Sequence, residues 1–258
     1  VVKFAASGGD PAQTSVLPAN DAGDVVAPQP TPLASRDWPA GTFMSKLPVA
    51  DRKALLDLGI PRWHSAGEML FRQGDKGDSV LVLLDAVVTV KAGVENGVET
   101  LIAIRVSGDL VGEMAVIDDT TRFATITTCR RSLISHIPGP AFLDCLQRRP
   151  SVAITVNRML SERLRQAGRR RLDFTGYGVE VRLCRALLEL ADRHGRMDPR
   201  RGAVDVGVRL SHAEYGALIG ATKESVQRAL SRLAAKGLVE TGRRRVLITD
   251  KARLAKFA

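Results

Sequence analysis

Apolar and polar positions change period several times along the chain. Residues 1–41 show no period: six of the twelve prolines lie there among Ser, Thr, Ala and Gly. A stretch of that composition buries too little apolar surface to offset its chain entropy, which predicts a disordered tail. Phe43, Leu47, Leu55, Leu56 and Leu58 then flank a polar run, which predicts a short helix stopped by Gly59 and Pro61. From Pro61 onward, short apolar runs are punctuated by glycines. Residues 80–84, 87–90, 100–106, 124–128 and 132–137 read as strands, with Gly-Asp and Asn-Gly turns between them. Short strands at this spacing predict a β-sandwich or jelly-roll domain over 42–149.

After Pro138-Gly139-Pro140 the period becomes helical, over 141–148 and then 151 to about 174. On the longer helix Val156, Leu160, Leu164 and Ala167 recur at spacings of 4, 4 and 3. A narrow apolar seam between Arg158, Glu162, Arg165 and Arg169 suits burial against a twin helix, so 150–176 is predicted to dimerise. Gly176 and Gly178 mark a hinge. The last domain, 177–258, opens with an apolar helix over 179–192 and a polar loop over 194–202. Val204, Val206 and Val208 alternate as a strand.

Ser211-His212-Ala213-Glu214 is a capping box: the Ser hydroxyl can accept from the N3 amide while the Glu reaches back to the cap amide. It opens a helix over 213–219. Gly220 supplies a turn, Thr222 caps a second helix over 223–235, and Gly237 ends it. Two helices joined by a short glycine turn are a helix-turn-helix. Strands at 238–241 and 246–249 around Gly242-Arg243-Arg244-Arg245 complete a winged version. The fold class is therefore α+β.

Charge sharpens this picture. The 258 residues carry a net charge of +10, yet residues 161–258 alone hold 22 Lys and Arg against 11 Asp and Glu. The positive excess lies entirely in the C-terminal part, which points to a polyanion as partner. The second helix presents Thr222, Lys223, Glu224, Ser225, Gln227 and Arg228 in its first turns. Arg reads guanine O6 and N7, and a carboxylate accepts from the cytosine amine, so Arg228 and Glu224 suit base edges. Lys223 suits guanine or a phosphate, and Arg243, Arg244 and Arg245 suit phosphates.

A second chemistry lies in the strand-rich domain. Gly112-Glu113-Met114-Ala115 sits between two strand-like runs, and Arg122 follows nine residues after Glu113. Backbone amides at a short helical turn can cradle a phosphate, Arg adds a charge-assisted fork, and a carboxylate accepts from sugar hydroxyls. A turn glycine with a Glu–Arg ion pair is the plainer alternative.

Several classes are set aside. Hydrophobic residues make up 45% and no run reaches the length of a membrane span. The N-terminus lacks a basic region followed by an apolar block, which argues against a secretory signal, and the sparse cysteines point to a reducing, cytoplasmic compartment. Cys129, Cys145 and Cys184 are too scattered for a disulfide framework or an iron–sulfur site. His64, His136, His194 and His212 show no metal-ligand spacing, so neither a metal nor an enzyme on a cupin-like barrel is expected.

Ala66-Gly67-Glu68, the run Gln73-Gly74-Asp75-Lys76-Gly77-Asp78-Ser79, Gly108-Asp109-Leu110-Val111-Gly112-Glu113-Met114-Ala115 and Arg122-Phe123-Ala124-Thr125 resemble the cyclic-AMP receptor protein / fumarate-nitrate reductase regulator (Crp/Fnr) family of bacterial transcription factors. The likeness runs over about residues 43–250, and 210–239 matches the family's helix-turn-helix. It implies a cyclic-nucleotide-binding β-roll, a dimerising helix and a winged helix that turns into place when ligand binds. By the resemblance Gly112, Glu113, Met114, Ala115, Arg122 and Phe123 form the nucleotide site. Glu113 would hold the ribose and Arg122 the phosphate, while Lys223, Glu224 and Arg228 occupy the base-reading positions.

The departures are specific. Phe123 stands where cyclic-AMP binders of the family place a small hydroxyl residue, and Ala167-Gly168 where they place a Thr-Ser pair. Asp85-Ala86 replaces a turn glycine, and Lys223 replaces an arginine. The expectation is a homodimeric regulator that binds an inverted-repeat operator in double-stranded DNA under control of cyclic AMP, with RNA polymerase as a further partner. Two alternatives stand beside it. A constitutive regulator with a vestigial pocket is one. The other answers a cyclic dinucleotide through Arg163, Arg165, Arg169, Arg170 and Arg171, whose plainer reading is solvated helix charge.

Overall fold

The computed structural model describes residues 33–93 and 99–258. Residues 1–32 of the expected tail, and the Asn96-Gly97 turn, lie outside them. The expected start of order at Thr42 is too late. Leu33–Ser35 forms a 3-10 turn, Trp38 is buried, and Arg36 donates to the Leu84 carbonyl at 3.0 Å. A second 3-10 turn, Met44–Lys46, leads into helix α1 (Val49–Asp57).

Eight strands follow: β1 (Ile60–His64), β2 (Met69–Phe71), β3 (Ser79–Asp85), β4 (Val87–Gly93), β5 (Glu99–Val106), β6 (Leu110–Val111), β7 (Thr125–Thr128) and β8 (Ser132–Pro138). The short helix α2 (Glu113–Ile117) lies between β6 and β7. The strands form two antiparallel four-stranded sheets, ordered β1-β8-β3-β6 and β2-β7-β4-β5. β3 shows why they stack. Leu81 and Leu83 face the second sheet with Val88, Val111, Ile126 and Ile134. Val80, Val82 and Leu84 face the helices. Both faces of the strand are covered, so its run is apolar throughout. Pro61, read as a helix stop, sits in β1 instead. That strand is a sheet edge, where a missing backbone N–H costs little.

Helices α3 (Gly139–Arg148) and α4 (Pro150–Gly176) pack beneath the first sheet. Val152, Val156 and Met159 insert there beside Phe142 and Val80. This corrects the seam read from the sequence. Val156 belongs to the chain's own core, Leu160 is partly buried, and Leu164 and Leu172 stand 74% and 69% exposed.

Beyond Gly178 lie α5 (Val179–His194), β9 (Arg196–Asp198), β10 (Ala203–Asp205), α6 (His212–Ile219), α7 (Lys223–Ala235), β11 (Val239–Gly242), β12 (Arg245–Ile248) and α8 (Lys251–Ala255). The sheet order is β11-β12-β10-β9. Two expectations fail locally. The 194–202 loop contains β9, which pairs with β10. The strand expected through Val208 stops at Asp205, because Gly207 turns the chain at φ +81° and leaves both Val206 and Val208 buried. The capping box is formed as expected, with Ser211 and Glu214 bonded reciprocally. Leu101 and Ile104 of β5 join this C-terminal core, so α6 rests on the β-roll.

Two half-buried imidazoles set a pH dependence. Burial, with His64 and Arg62 nearby, pushes His136 down to about 4. Burial likewise pushes His194 down to about 4, with Asp109 opposing and Arg193 and Arg105 reinforcing. The unfolded chain therefore takes up these protons first, from about pH 6.5 downward. Stability is whole above that pH and falls as the pH drops toward 4. Urea unfolding at pH 5 is expected to give about 2 kcal/mol less stability than at pH 7.5, allowing for partial exposure. Equal stability at the two values would contradict the burial argument.

Candidate nucleotide pocket and DNA-reading face

A cavity of about 580 Å³ lies between the second sheet, α2 and the open half of α4. That volume suits a small-molecule ligand. All six residues of the expected nucleotide site line it: Gly112, Glu113, Met114, Ala115, Arg122 and Phe123. Gly112 begins the turn at φ +85°, a conformation L side chains rarely adopt. A Cβ there would stand 2.6 Å from the Phe71 ring and 2.9 Å from an Arg122 nitrogen, so the position requires glycine twice over.

Arg122 is 3% exposed. Its Nη1 donates to the Gly112 carbonyl at 2.9 Å, and its Nη2 to the Ser79 carbonyl at 2.8 Å and Asp78 at 3.3 Å. The guanidinium lies 3.6 Å over the Phe71 ring. Burial lowers its pKa, and Asp78 opposes that. Glu113 is 1% exposed and accepts from Arg163 Nη1 at 2.5 Å. Two atoms remain over: Arg122 Nε and Glu113 Oε2 are buried and find no hydrogen-bond partner among the described residues. A buried donor and a buried acceptor on the wall of one cavity cost about 1–3 kcal/mol each until a ligand meets them.

The sequence reading missed Arg105 of β5, which lines the cavity with Arg122. Arg163 and Arg170 of α4, offered there among five candidate arginines, line it too. Burial, and then repulsion from Arg163, pushes Arg105 down to about 10. Arg163 also donates to the Leu110 carbonyl at 2.7 Å. Arg165, Arg169 and Arg171, grouped with these two by charge alone, are exposed. The usable signal was spacing: Arg163 and Arg170 stand seven apart, two helical turns, and so share a face. Phe123 is 61% exposed beside the cavity and supplies no hydroxyl; Ala167 lines the wall and supplies none either. Cations outnumber anions on this wall, which suits an anionic ligand.

On α7, Val226, Ala229, Leu230 and Leu233 are buried. Lys223, Glu224, Gln227 and Arg228 on its other side are exposed. Thr222 accepts from the Ser225 amide at 3.2 Å, and Arg228 touches the Ser225 hydroxyl at 3.3 Å. Glu224 and Arg228 form no ion pair with each other, which leaves both free to meet a base edge. The wing arginines divide. Arg243 is exposed at the tip. Arg244, at φ +54°, pairs with Glu214 at 2.9 Å. Arg245 is tied to Asp205 at 2.7 Å and Asp198 at 3.1 Å, so it braces the sheet rather than reaching for phosphate. The histidines show one contact the sequence hid: His64 and His136 meet at 2.9 Å, and Glu68 holds His64 at 2.7 Å. Among the described residues no three His, Cys, Asp or Glu side chains gather in a metal-binding group.

Comparison with known proteins matches these two regions. A cyclic nucleotide-binding domain model covers residues 61–149, and a Crp-like helix-turn-helix domain model covers 181–257. The chain is 29% identical over 222 residues to the CRP-like cAMP-activated global transcriptional regulator of Mycobacterium tuberculosis, across 85% of this chain and 96% of that one. It is 28% identical over 198 residues to the cyclic AMP receptor protein of Thermus thermophilus, across 76% and 87%. Among solved structures, the c-di-GMP responsive global regulator CLP of Xanthomonas campestris shares the fold. Its TM-score is 0.67 at 22% identity, over 79% of this chain and all of that one. The fold and the two sites define a DNA-binding regulator responsive to a cyclic nucleotide. The chain belongs to the Crp/Fnr family of transcription factors.

Proposed function

We propose that the protein is a homodimeric transcription regulator whose binding to an inverted-repeat operator is switched by cyclic AMP in the α4-covered cavity. The observation that carries this reading is the pair of unpartnered buried atoms, Arg122 Nε and Glu113 Oε2, on one cavity wall. Arg122 offers a donor to the cyclic phosphate, and Glu113 offers an acceptor to a ribose hydroxyl. The exposed Leu164 and Leu172 supply the surface a second α4 would cover. Such a dimer sets two α7 helices about 34–36 Å apart, one turn of DNA. RNA polymerase as a further partner and a cytoplasmic location follow the same reading; no described helix is long and apolar enough to cross a membrane.

A second reading has its own support. Arg105, Arg163 and Arg170 add cations beyond what one phosphate needs, and residues 123 and 167 carry no hydroxyl for a base. These favour a more anionic effector such as a cyclic dinucleotide.

Calorimetric titration of nucleotide-stripped protein separates the two. Cyclic AMP binding at one per protomer, with sedimentation at the mass of two chains and tighter DNA binding, is the expected result. Heat only with cyclic di-GMP would select the second reading. Heat with neither would overturn both.

A further inference from the structure

Arg170 stands at a junction of three parts of the molecule. It lines the cavity from α4. Its Nη1 donates to the Ile102 carbonyl on β5. Its Nη2 faces both carboxylate oxygens of Glu189, each at 3.4 Å. Glu189 lies on α5, the first helix of the DNA-binding part, and is also approached by Arg193 at 3.7 Å. Ile102 sits between Leu101 and Ile104, whose side chains are buried in the core of that same part. One guanidinium thus holds the strand on which the DNA-binding part rests and a helix of the part itself, while presenting to the ligand cavity.

The two ion pairs on this face of α4 are unequal. Arg163 grips Glu113 at 2.5 Å and the Leu110 carbonyl at 2.7 Å. The Arg170–Glu189 contact is long, and both side chains are about one-third exposed. Charge-assisted bonds to a phosphate form at about 2.7–2.9 Å. An anion in the cavity can therefore draw Nη2 of Arg170 from a long contact, while Nη1 keeps the Ile102 carbonyl and Glu189 keeps Arg193. Arg163 has no such exchange to offer without unbinding the buried Glu113.

We propose that Arg170 is the residue that couples the cavity to the DNA-binding part. Its contact with Glu189 helps hold α5 and α6 against β5. An anionic effector draws the guanidinium to itself and releases that hold. This rests on the effector site proposed above. By reciprocity, whatever weakens the Arg170–Glu189 contact must tighten effector binding, because less is given up when the guanidinium turns.

The test uses the full chain and two variants, Glu189→Gln and Arg170→Gln. Cyclic AMP and cyclic di-GMP are each titrated by calorimetry, and hydrogen exchange is read on residues 212–219, the helix seated on β5. In the wild type, the nucleotide that binds should speed exchange at 212–219. In Glu189→Gln, exchange without nucleotide should already be about five-fold faster, and nucleotide affinity about five-fold tighter. In Arg170→Gln, exchange should be fast and indifferent to nucleotide, and affinity should fall. A merely structural ion pair would speed exchange in Glu189→Gln and leave nucleotide affinity unchanged, and that result overturns the proposal alone. Wild-type protein that binds neither nucleotide overturns the effector site and the coupling together.

Discussion

Replacing Arg122 with lysine is expected to lower cyclic nucleotide affinity by at least 30-fold while leaving the DNA-binding face intact. The guanidinium is almost fully buried and already spends its Nη atoms on Gly112 and Ser79. Those bonds hold the glycine turn that presents Glu113, and the stacking on Phe71 fixes the plane of the fork. Its Nε remains buried without a partner, on a residue that lines the cavity. Lysine keeps the charge but has neither plane nor fork, so it cannot hold the turn and meet a phosphate together. Losing one partner of a buried, hydrogen-bonded charge pair costs about 2–5 kcal/mol, which is roughly 30-fold to several thousand-fold in affinity. Titration calorimetry reads the effect directly, with circular dichroism to check that the β-roll persists. Unchanged affinity in a folded variant would remove Arg122 from the site and with it the phosphate position.

Arg228→Ala is expected to act at the other end of the chain, with a loss of similar size. A base-reading arginine is worth about 1–3 kcal/mol per half-site, so a dimer on an inverted repeat would lose about 2–6 kcal/mol. The residue is well placed for this: it is exposed, unpaired with Glu224, and carried on a helix anchored by Val226, Ala229, Leu230 and Leu233. Arg243→Ala provides the contrast. At the wing tip it should weaken all sequences alike and shallow the salt dependence by about one ion per protomer. Fluorescence anisotropy on a selected inverted-repeat duplex and on a scrambled one distinguishes the two. If Arg228→Ala weakened both duplexes equally, the arginine would be a phosphate contact and α7 would read bases through other residues. Nucleotide affinity should be untouched by either change.

Features built from near neighbours were legible in the chain. The capping box closes within four residues, from Ser211 to Glu214, and the structure forms it. The same holds for the Thr222 cap, the Gly220 turn at φ +61°, and the Gly112 turn. The first turn of a helix and a glycine that must adopt positive φ are decided by local sterics and hydrogen bonds, which travel with the sequence. The apolar run of β3 was equally plain as a strand, though not that both of its faces would be covered.

Contacts that close long loops were not legible. Arg163 and Arg165 look alike in the chain, yet only the first faces a carboxylate fifty residues away. Arg245 looks like its wing neighbours, yet Asp205 and Asp198 claim it from forty and forty-seven residues upstream. Val156 reads as part of a dimer seam, yet the β-roll buries it first. His64 and His136, seventy-two residues apart, meet only because β1 pairs with β8.

By itself, then, the sequence determined the winged helix-turn-helix and most of the element order, short of strands such as β1, β2 and β9, and it singled out the Gly112, Glu113 and Arg122 that line the cavity. The winged helix rests on periodicity and on bonds spanning a few residues, and the cavity residues were legible through the resemblance of their motif. The tertiary structure alone decided which cations face the cavity, which wing arginine is free, and how the DNA-binding part is seated on β5. The physical reason is that a charge acts on whatever folding brings within a few ångströms, and sheet pairing and helix packing choose that neighbour from distant parts of the chain.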